Sequence, residues 1–319
     1  MSQGIDLRAW RQFLAVAEEL HFGRAAARLH MTQPPVTQAI AQLEKTLEVR
    51  LFDRTRRRVA LTPAGEALLP EVRDLLARAQ ALPGRARAAA AGEVGRVRLA
   101  FVSTIGFEHL PVWVREFRAA SPEVSLELVE ATGDVQLAAF ERGDIDAGLM
   151  LHSPGAAAPG LQHLPVAREP LVLAMPEAHA LARLPALPLA AVLAEPLVVF
   201  PRRIVPSLHD AIFSLYHAAG CTPRVAQEAI QMQTIVNLVW GGLGVAWVPA
   251  SVMQFRRAGV VYRAADELAL PPRRAARTSP ALPACETSLV WPPEGEQPAL
   301  RRFIDFVRAR LAPLSGRAQ

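Results

Sequence analysis

Residues 22–40 read FGRAAARLHMTQPPVTQAI, and this stretch decides the fold of the first third of the chain. The small residues from Ala25 to Ala27 let another helix approach closely, which predicts a short helix that ends in a turn at His30-Met31. Thr32 suits the N-cap of the next helix, and the proline pair shortly after it costs little, because first-turn amides have no intrahelical acceptor. That helix buries a stripe at three- and four-residue spacing, namely Val36, Ile40, Leu43 and Leu47. Together the two helices predict a helix-turn-helix.

The opposite face of this second helix is polar, and its amides and hydroxyls suit the base edges and phosphates of a DNA major groove. It presents Gln33, Thr37, Gln38, Ala41 and Lys45. One further amphipathic helix precedes the pair, with its apolar stripe at Leu7, Trp10, Phe13, Leu14, Ala17 and Leu20.

A basic hairpin is predicted directly after the helix pair. The segment 49–52 is expected to form one strand and 59–61 the return strand. Such a wing can place arginines on phosphates or in the minor groove, although an arginine-rich turn can also be a solvated loop. The turn residues concerned are Arg54, Arg56, Arg57 and Arg58.

Thr62-Pro63 opens a long helix, whose apolar residues alternate by four and three positions as in a coiled-coil seam. We expect this seam to pair with the same helix of a second subunit, the alternative being packing against its own domain. Pro83-Gly84 predicts a kink or an early end of this helix near residue 82. The seam residues are Leu68, Val72, Leu75, Ala79 and Leu82.

The positive charge of the chain lies in this first part. Residues 1–91 contain 14 Lys and Arg against 9 Asp and Glu, whereas the other 228 residues contain 21 of each, and the whole chain carries +5. This asymmetry favours an anionic partner such as nucleic acid, although a basic surface can also arise by chance.

The segment 22–40, followed by Gln42-Leu43-Glu44, Leu51-Phe52-Asp53-Arg54 and 61–65, resembles the DNA-binding domain of LysR-type transcription regulators without gaps. The resemblance implies groove contacts at Gln33, Pro34, Thr37 and Gln38 and makes Arg54 the wing arginine, with Thr32, Pro35, Arg56 and Arg57 added as expected DNA contacts. The family very often has Ser-Arg where this chain has Thr37-Gln38, so the operator preference of relatives does not carry over.

After a hinge near Glu93–Gly95 the pattern changes to alternating strands and helices, which predicts α/β architecture with parallel sheets. Expected strands are 97–101, 124–129, 146–149, 171–174, 197–200, 245–248 and 287–291, and expected helices 107–119, 135–141, 207–219, 231–240 and 300–311. The looser family resemblance here implies two lobes like those of periplasmic solute-binding proteins, with a ligand between them. The predicted organisation is a winged helix-turn-helix at 1–62, a linker helix at 63–92 and an effector domain at 93–319, with lobe I at about 93–165 and 268–319 and lobe II at about 166–267.

A small anionic effector is predicted from residues at strand ends. Hydroxyls ahead of helices can cradle a carboxylate, and an aromatic-proline pair can cover a flat apolar body. Each residue also has a structural explanation, since such hydroxyls often cap helices and such pairs often pack turns. The segment 197–201 resembles the subgroup that controls degradation of aromatic compounds, which implies an aromatic acid or unsaturated dicarboxylate. The candidates are Ser103, Thr104, Thr132, Phe200 and Pro201, with Arg202 or Arg203 as counter-charge.

An enzyme, an exported solute receptor and an architectural DNA-binding protein are the rival classes. The sequence has no P-loop, no dinucleotide fingerprint, no Gly-x-Ser-x-Gly and no metal-spaced histidines, so neither catalysis nor a metal or other cofactor is expected. Two cysteines and no apolar stretch of ~20 residues favour a cytoplasmic protein that is neither exported nor membrane-bound. The expected partners are double-stranded DNA, a small organic acid, RNA polymerase and further copies of the chain, as a homodimer or tetramer.

Overall fold

The computed structural model describes residues 6–54, 58–264, 267–269, 283–294 and 296–311. The chain divides into two compact units, Met1–Arg87 and Ala88–Gln319. Among the described helices, none combines the length and the apolar character that a membrane span requires.

The first unit is a winged helix-turn-helix. Its helices α1 to α3 close on a core that contains Phe13, Val36 and Ile40, none of which is measurably exposed. The wing joins this core through Phe52, whose ring lies 5.5 Å from the ring of Phe13. The elements are α1 (Leu7–Glu19), α2 (Phe22–Arg28), α3 (Gln33–Leu47), β1 (Phe52–Arg54), β2 (Val59–Leu61) and α4 (Pro63–Ala90), with α4 continuing into the second unit.

The first wing strand lies further along the chain than the sequence predicted. Glu48 ends α3 in the left-handed conformation, and the Val49 amide still bonds to the Glu44 carbonyl at 3.1 Å. The Leu51 amide donates to the Glu44 side chain at 2.9 Å. Since these amides serve the end of α3, the antiparallel ladder begins only at Phe52, which pairs with Leu61.

Helix α4 is 28 residues long and contains both Pro70 and Pro83, so the expected early end near residue 82 is wrong, while the alternative, a kink at that place, stays a prediction. The helix is solvent-exposed around Pro83, and a Cβ added to Gly84 would have no described atom within 4 Å. Water can therefore satisfy the carbonyl that the proline leaves without a donor. The alanine- and arginine-rich segment 85–90 has high helix propensity and continues the helix.

The second unit is α/β, as predicted, and its central sheet is mixed. The parallel pairs are β3 with β4 and β3 with β5, while β13 runs antiparallel between β5 and β6. The sheet order is β10-β6-β13-β5-β3-β4, with β11 also on β6. The strands are β3 (Gly95–Phe101), β4 (Val124–Glu130), β5 (Ala147–His152), β6 (Gln162–Pro176), β7 (Leu187–Pro188), β8 (Leu197–Val199), β9 (Val225–Glu228), β10 (Ala246–Pro249), β11 (Val260–Arg263), β12 (Leu268–Ala269) and β13 (Ala284–Trp291).

Six α-helices among the described residues flank these strands, together with three short 3-10 helices. The α-helices are α5 (His109–Ala120), α6 (Gly133–Glu141), α7 (Leu189–Ala194), α8 (Pro206–Ala218), α9 (Met232–Trp240) and α10 (Pro298–Leu311), and the 3-10 helices are Ser103–Phe107, Ala180–Arg183 and Ala250–Phe255.

Two separate hydrophobic cores divide the second unit into lobes. Lobe I closes on residues such as Leu99, Phe117 and Phe303, and lobe II on residues such as Leu208 and Val236. Strands β6 and β13 belong to both lobes, because Val166 and Leu289 lie in the first core while Leu171 and Cys285 lie in the second. The lobes therefore meet along two continuous, paired strands.

Candidate functional site

The turn between α2 and α3 sets the exposure of the polar helix face. His30 takes a positive φ of 53°, and α3 starts one residue after Thr32, which is extended. Thr32 occupies the predicted N-cap position, but its hydroxyl makes no capping hydrogen bond with a described residue. The prolines at 34 and 35 lie exposed in the first turn, and Val36 behind them is completely buried.

The predicted groove-facing residues differ in how free their side chains are. Gln33 and Gln38 are exposed, whereas Thr37 is half-buried. The Thr37 hydroxyl donates to the backbone carbonyl of Gln33 at 3.1 Å, one turn earlier. Thr37 therefore retains its oxygen as an acceptor, while the two glutamines offer donors and acceptors to a ligand.

The wing is tied to α3 by Glu44, to which sequence reasoning assigned no role. One carboxylate oxygen accepts from the backbone amides of Leu51 and Phe52 at 2.9 and 3.1 Å, and the other pairs with Arg54 at 2.7 Å. The Arg54 guanidinium also lies over the Phe22 ring, 4.9 Å from its centroid. Arg54 is thus placed at the predicted wing, where it holds the first strand to the helix pair. Arg56 and Arg57 lie outside the described residues.

Glu18 connects three helices of the first unit. It pairs with Arg28 of α2 at 2.8 Å and with Arg73 of α4 at 2.9 Å. The hydrogen bond from Arg73 lowers the pKa of Glu18, with burial opposing it and Arg28 adding to it. Helix α4 is therefore fastened to the helix-turn-helix by charge as well as by apolar packing.

The predicted dimer seam on α4 divides into two groups. Val72 is only 3% exposed and packs in the core of its own unit, as does the neighbouring Leu76, while Leu68 is half-buried against that core. Val72 is therefore corrected from a dimer contact to a core residue, since the fold of α4 onto α1 covers it. Leu75 and Leu82 remain exposed, at 43% and 61%.

The cleft between the lobes of the second unit brings three of the predicted effector residues together. A cavity of about 30 Å³ opens where β3 and β4 end, and Ser103, Thr104 and Thr132 all line it. Thr104 is 3% exposed, and its hydroxyl has no hydrogen-bond partner in the described part of the chain. The other lining residues are Val102, Glu130, Ala131, Leu151, Ile204, Val205, Ile230, Gln231 and Met232.

Phe200, Pro201 and Arg202 do not line this cavity, which corrects their assignment. Phe200 is 1% exposed and belongs to the core of lobe II, because it directly follows the wholly buried strand β8. Pro201 is buried beside it. Arg202 turns to Asp210 of α8 and forms two hydrogen bonds of 2.8 and 2.7 Å. The apolar wall comes instead from Ile204 and Val205, a few residues further along the chain.

The turn from β4 into α6 is held from inside by Gln136, which sequence reasoning missed. Its amide donates to the carbonyls of Ala131 and Leu149 at 2.8 and 3.3 Å, although the side chain is completely buried. Gly148 makes room for it, since a Cβ there would lie 2.3 Å from the Gln136 Oε1. The signal that could have identified this position is the presence of a polar residue among the apolar residues of α6.

Three contacts join the lobes around the cleft. The Ser153 amide donates to the Ser207 Oγ at 3.0 Å. Gly133 approaches lobe II so closely that a Cβ would lie 3.0 Å from the Ile204 carbonyl oxygen. Asp134 Oδ2 lies 3.9 Å from Arg203 Nε. The cleft is therefore narrow, with room for about one or two water molecules.

A wider pocket of about 720 Å³ lies beside β6 and β13, the strands that both lobes share, and its ionisable lining is mostly acidic. Glu169 accepts from the Ser251 amide and hydroxyl at 2.5 and 3.1 Å, while burial raises the pKa of this carboxyl. The other charged or titratable lining residues are Glu108, His109, Arg168 and Glu286. Among the described residues no group of His, Cys, Asp and Glu has a geometry that could hold a metal ion.

Both units match known protein families. Residues 7–66 match the family described as bacterial regulatory helix-turn-helix protein, lysR family, and residues 90–312 match the LysR substrate binding domain. The transcriptional regulator IlvR of Caulobacter vibrioides is 44% identical over 304 residues, which cover 95% of this chain and 97% of IlvR. AlsR of Bacillus subtilis is 37% identical over 271 residues, covering 83% and 87%.

The likeness extends to solved structures of complete chains. Full-length CbnR complexed with its target DNA superposes with a TM-score of 0.75 at 30% identity, covering 95% of this chain and 99% of that chain. The same order of a helix-turn-helix and a two-lobed domain is therefore found in both chains.

Proposed function

Since this chain belongs to the LysR family of bacterial transcription regulators, we propose that it switches transcription in response to a small organic acid bound between the two lobes of its second unit. The chain is a DNA-binding regulator with a ligand-binding domain, and the acid is the part of the proposal that concerns this chain in particular. The observation that carries it is the meeting of Ser103, Thr104 and Thr132 at the ends of two parallel strands, facing an apolar wall.

The carboxylate is best placed at the start of α6. Thr132 is the N-cap residue of this nine-residue helix, whose first amides have no intrahelical acceptor. A helix N-terminus carries partial positive charge and attracts anions. The hydroxyls of Ser103 and Thr104 stand at the next strand end, so that two polar segments converge on one position.

The body of the acid would lie against lobe II. Ile204, Val205 and Met232 are buried there and line the cavity, as does Leu151 of β5, which packs in the same core. These side chains suit an aromatic ring or an unsaturated chain, and their burial of such a body would contribute about 25 cal/mol per Å². The cavity is smaller than any such acid, so binding requires the lobes to part.

For the first unit we propose that α3 enters the major groove of an operator. CbnR is solved with its target DNA, and the helix that this chain would use presents Thr32, Gln33, Pro34, Pro35 and Gln38 on its surface. We further propose that the exposed Leu75 and Leu82 join two copies, that such dimers pair into tetramers, and that the assembly acts on RNA polymerase. Two joined recognition helices would read two half-sites.

The DNA proposal is tested by Gln33→Ala in a mobility-shift titration. If Gln33 contacts bases, the variant should lose ~1–3 kcal/mol of binding free energy on the cognate site and little on a scrambled duplex. An unchanged preference for the cognate site would remove Gln33 from the reading face.

The effector proposal is tested by thermal denaturation with benzoate, cis,cis-muconate and the uncharged benzamide. A bound acid at a hundred times its dissociation constant should stabilise the chain by about 2.7 kcal/mol, and benzamide should not. Ser103→Ala should weaken binding of the acid, while the affinity of the ligand-free chain for DNA stays unchanged. A chain stabilised only by cationic or uncharged compounds would contradict the proposal.

A further inference from the structure

The cleft that we assign to an organic acid lacks a full positive charge in its lining. The described lining residues include no Lys or Arg, and their one ionisable side chain is that of Glu130. A buried carboxylate costs several kcal/mol unless a cation or several hydrogen bonds compensate it. Helix ends and hydroxyls supply part of this compensation, so a cation near the cleft is the missing component.

Two arginines follow β8, and their partners distinguish them. Arg202 forms a bidentate pair with Asp210 of the same lobe, and this pair raises the pKa of Arg202 and lowers that of Asp210. Arg203 lies 3.9 Å from Asp134 Oδ2, beyond hydrogen-bond length, and its side chain is 64% exposed. Arg202 is thus committed within lobe II, whereas Arg203 is held loosely.

The partner of Arg203 lies on the other lobe, at the anion-binding end of α6. Asp134 is in the first turn of this helix and accepts a hydrogen bond from the Thr132 hydroxyl at 2.5 Å. The adjacent Gly133 faces the backbone of Ile204, one residue after Arg203. The guanidinium therefore stands at the mouth of the cleft, next to the position that a carboxylate would take.

A second observation at the same place points to a ligand. Thr104 lines the cavity in the cleft and also the wider pocket on β6 and β13, and its buried hydroxyl has no hydrogen-bond partner among the described residues. A buried hydroxyl without a partner destabilises the fold, and a hydrogen bond with a ligand oxygen would offset this cost.

We propose that Arg203 is the counter-charge of the effector's carboxylate and that it exchanges Asp134 for this carboxylate when the effector binds. This inference rests on the acid proposed above. In the ligand-free chain Asp134 is the nearest carboxylate to the Arg203 guanidinium among the described residues, and it competes with the effector's carboxylate for this guanidinium. In the bound chain the carboxylate takes both the α6 N-terminus of lobe I and Arg203 of lobe II, so the ligand itself links the lobes.

Calorimetry with benzoate and cis,cis-muconate on five full-length proteins tests the exchange. Arg203→Ala should lower the affinity for the acid that the wild type binds by at least about tenfold, because charge-assisted hydrogen bonds are strong. Arg202→Ala is the matched control, being an adjacent arginine with its partner inside lobe II, and should bind within about twofold of the wild type. Asp134→Asn keeps an acceptor for Thr132 but removes the competing charge, so it should bind the acid more tightly.

The outcomes separate this proposal from the one on which it rests. If the wild type binds neither acid, the acid effector and the role of Arg203 are both overturned. If the wild type binds an acid and Arg203→Ala binds it equally well or better, the effector stands and the role of Arg203 is overturned. Arg203→Lys keeps the charge and should retain part of the affinity that Arg203→Ala loses. If both variants melt at the same temperature as the wild type and lose affinity equally, the role of Arg203 is also overturned.

Discussion

At the scale of single residues, Glu44 shows how one carboxylate positions a surface that it does not itself form. It bonds to two backbone amides at the entry of the wing and to the guanidinium of Arg54, and its side chain is only 15% exposed. These bonds join α3 to β1 directly. The wing and the recognition helix therefore keep a common orientation, which a DNA site of fixed geometry requires.

We expect Glu44→Ala to lower the free energy of unfolding by about 1–3 kcal/mol, because it leaves the Leu51 and Phe52 amides without their acceptor. Glu44→Gln keeps one acceptor oxygen and loses only the ion pair with Arg54, so its loss should be smaller. Urea denaturation measures both. Glu71→Ala, an exposed glutamate on α4, is the control and should be neutral. Equal stability of all four proteins would mean that Glu44 does not hold the wing.

At the scale of elements, α4 has one buried face and one exposed face. Leu76 is 4% exposed and Leu75 is 43% exposed, although they are adjacent in sequence. The first faces the core of its own unit, and the second faces solvent in a single chain. The apolar residues of α4 suggest a single stripe in the sequence, but in the fold they form one buried stripe and one exposed stripe.

Neighbouring substitutions on α4 should separate folding from assembly. Leu76→Ala should destabilise the first unit by about 2–5 kcal/mol, because it leaves a cavity in the core. Leu75→Glu should leave a folded chain but halve the mass in light scattering, because a charge enters the proposed dimer contact. A Leu75→Glu protein that keeps the wild-type mass would remove this face from the interface.

Acid should weaken the attachment of α4 to the helix-turn-helix through Glu18. The pKa of Glu18 in the folded chain lies below its ordinary value of 4.5, so its ion pairs stabilise the fold fully above that pH. Their contribution is lost as the pH falls through the lowered value. The melting temperature of Glu18→Gln should therefore lie below that of the wild type at pH 7 and approach it below pH 4.5. A difference that persists unchanged at low pH would show that charge is not the cause.

At the scale of the molecule, the two lobes share the paired strands β6 and β13, and the ligand control that we propose would act through them. The narrow cleft means that an effector has to favour a wider arrangement, and it can do so only through its differential affinity for that arrangement. The loss of the contacts that hold the lobes together in the ligand-free chain can then be measured as evidence that the lobes have moved apart.

Hydrogen exchange at one amide should report the opening. The Ser153 amide is protected by the Ser207 hydroxyl of the other lobe, and binding of the acid found by thermal denaturation should speed its exchange. The Ser121 amide bonds to the Phe117 carbonyl within lobe I and should not change. Continued protection of Ser153 in the saturated protein would show that the lobes do not part there.

The main helices and strands and the identity of both units were predictable from the sequence, whereas β7, β9, β11, β12 and α7 were not predicted. Apolar spacing reports which face of a helix is buried, and the positions of Val36 and Ile40 are confirmed by their complete burial. The alternation of strands and helices likewise predicted the α/β unit. The meeting of Ser103, Thr104 and Thr132 at one cavity was predictable, because residues that follow parallel strands meet at one edge of the sheet, while their contact with an effector stays a prediction.

Tertiary structure alone decided which side chains meet across long stretches of chain. Val72 faces inward because α4 packs on α1, and Phe200 enters the core of lobe II because β8 is covered on both faces. The pairs Glu44 with Arg54 and Asp134 with Arg203 join elements whose mutual position no local pattern encodes. Periodicity gives the buried face of an element, but the partner of that face follows from how all elements pack together. The pairing of the charged residues in the candidate sites could therefore be seen only in the folded chain.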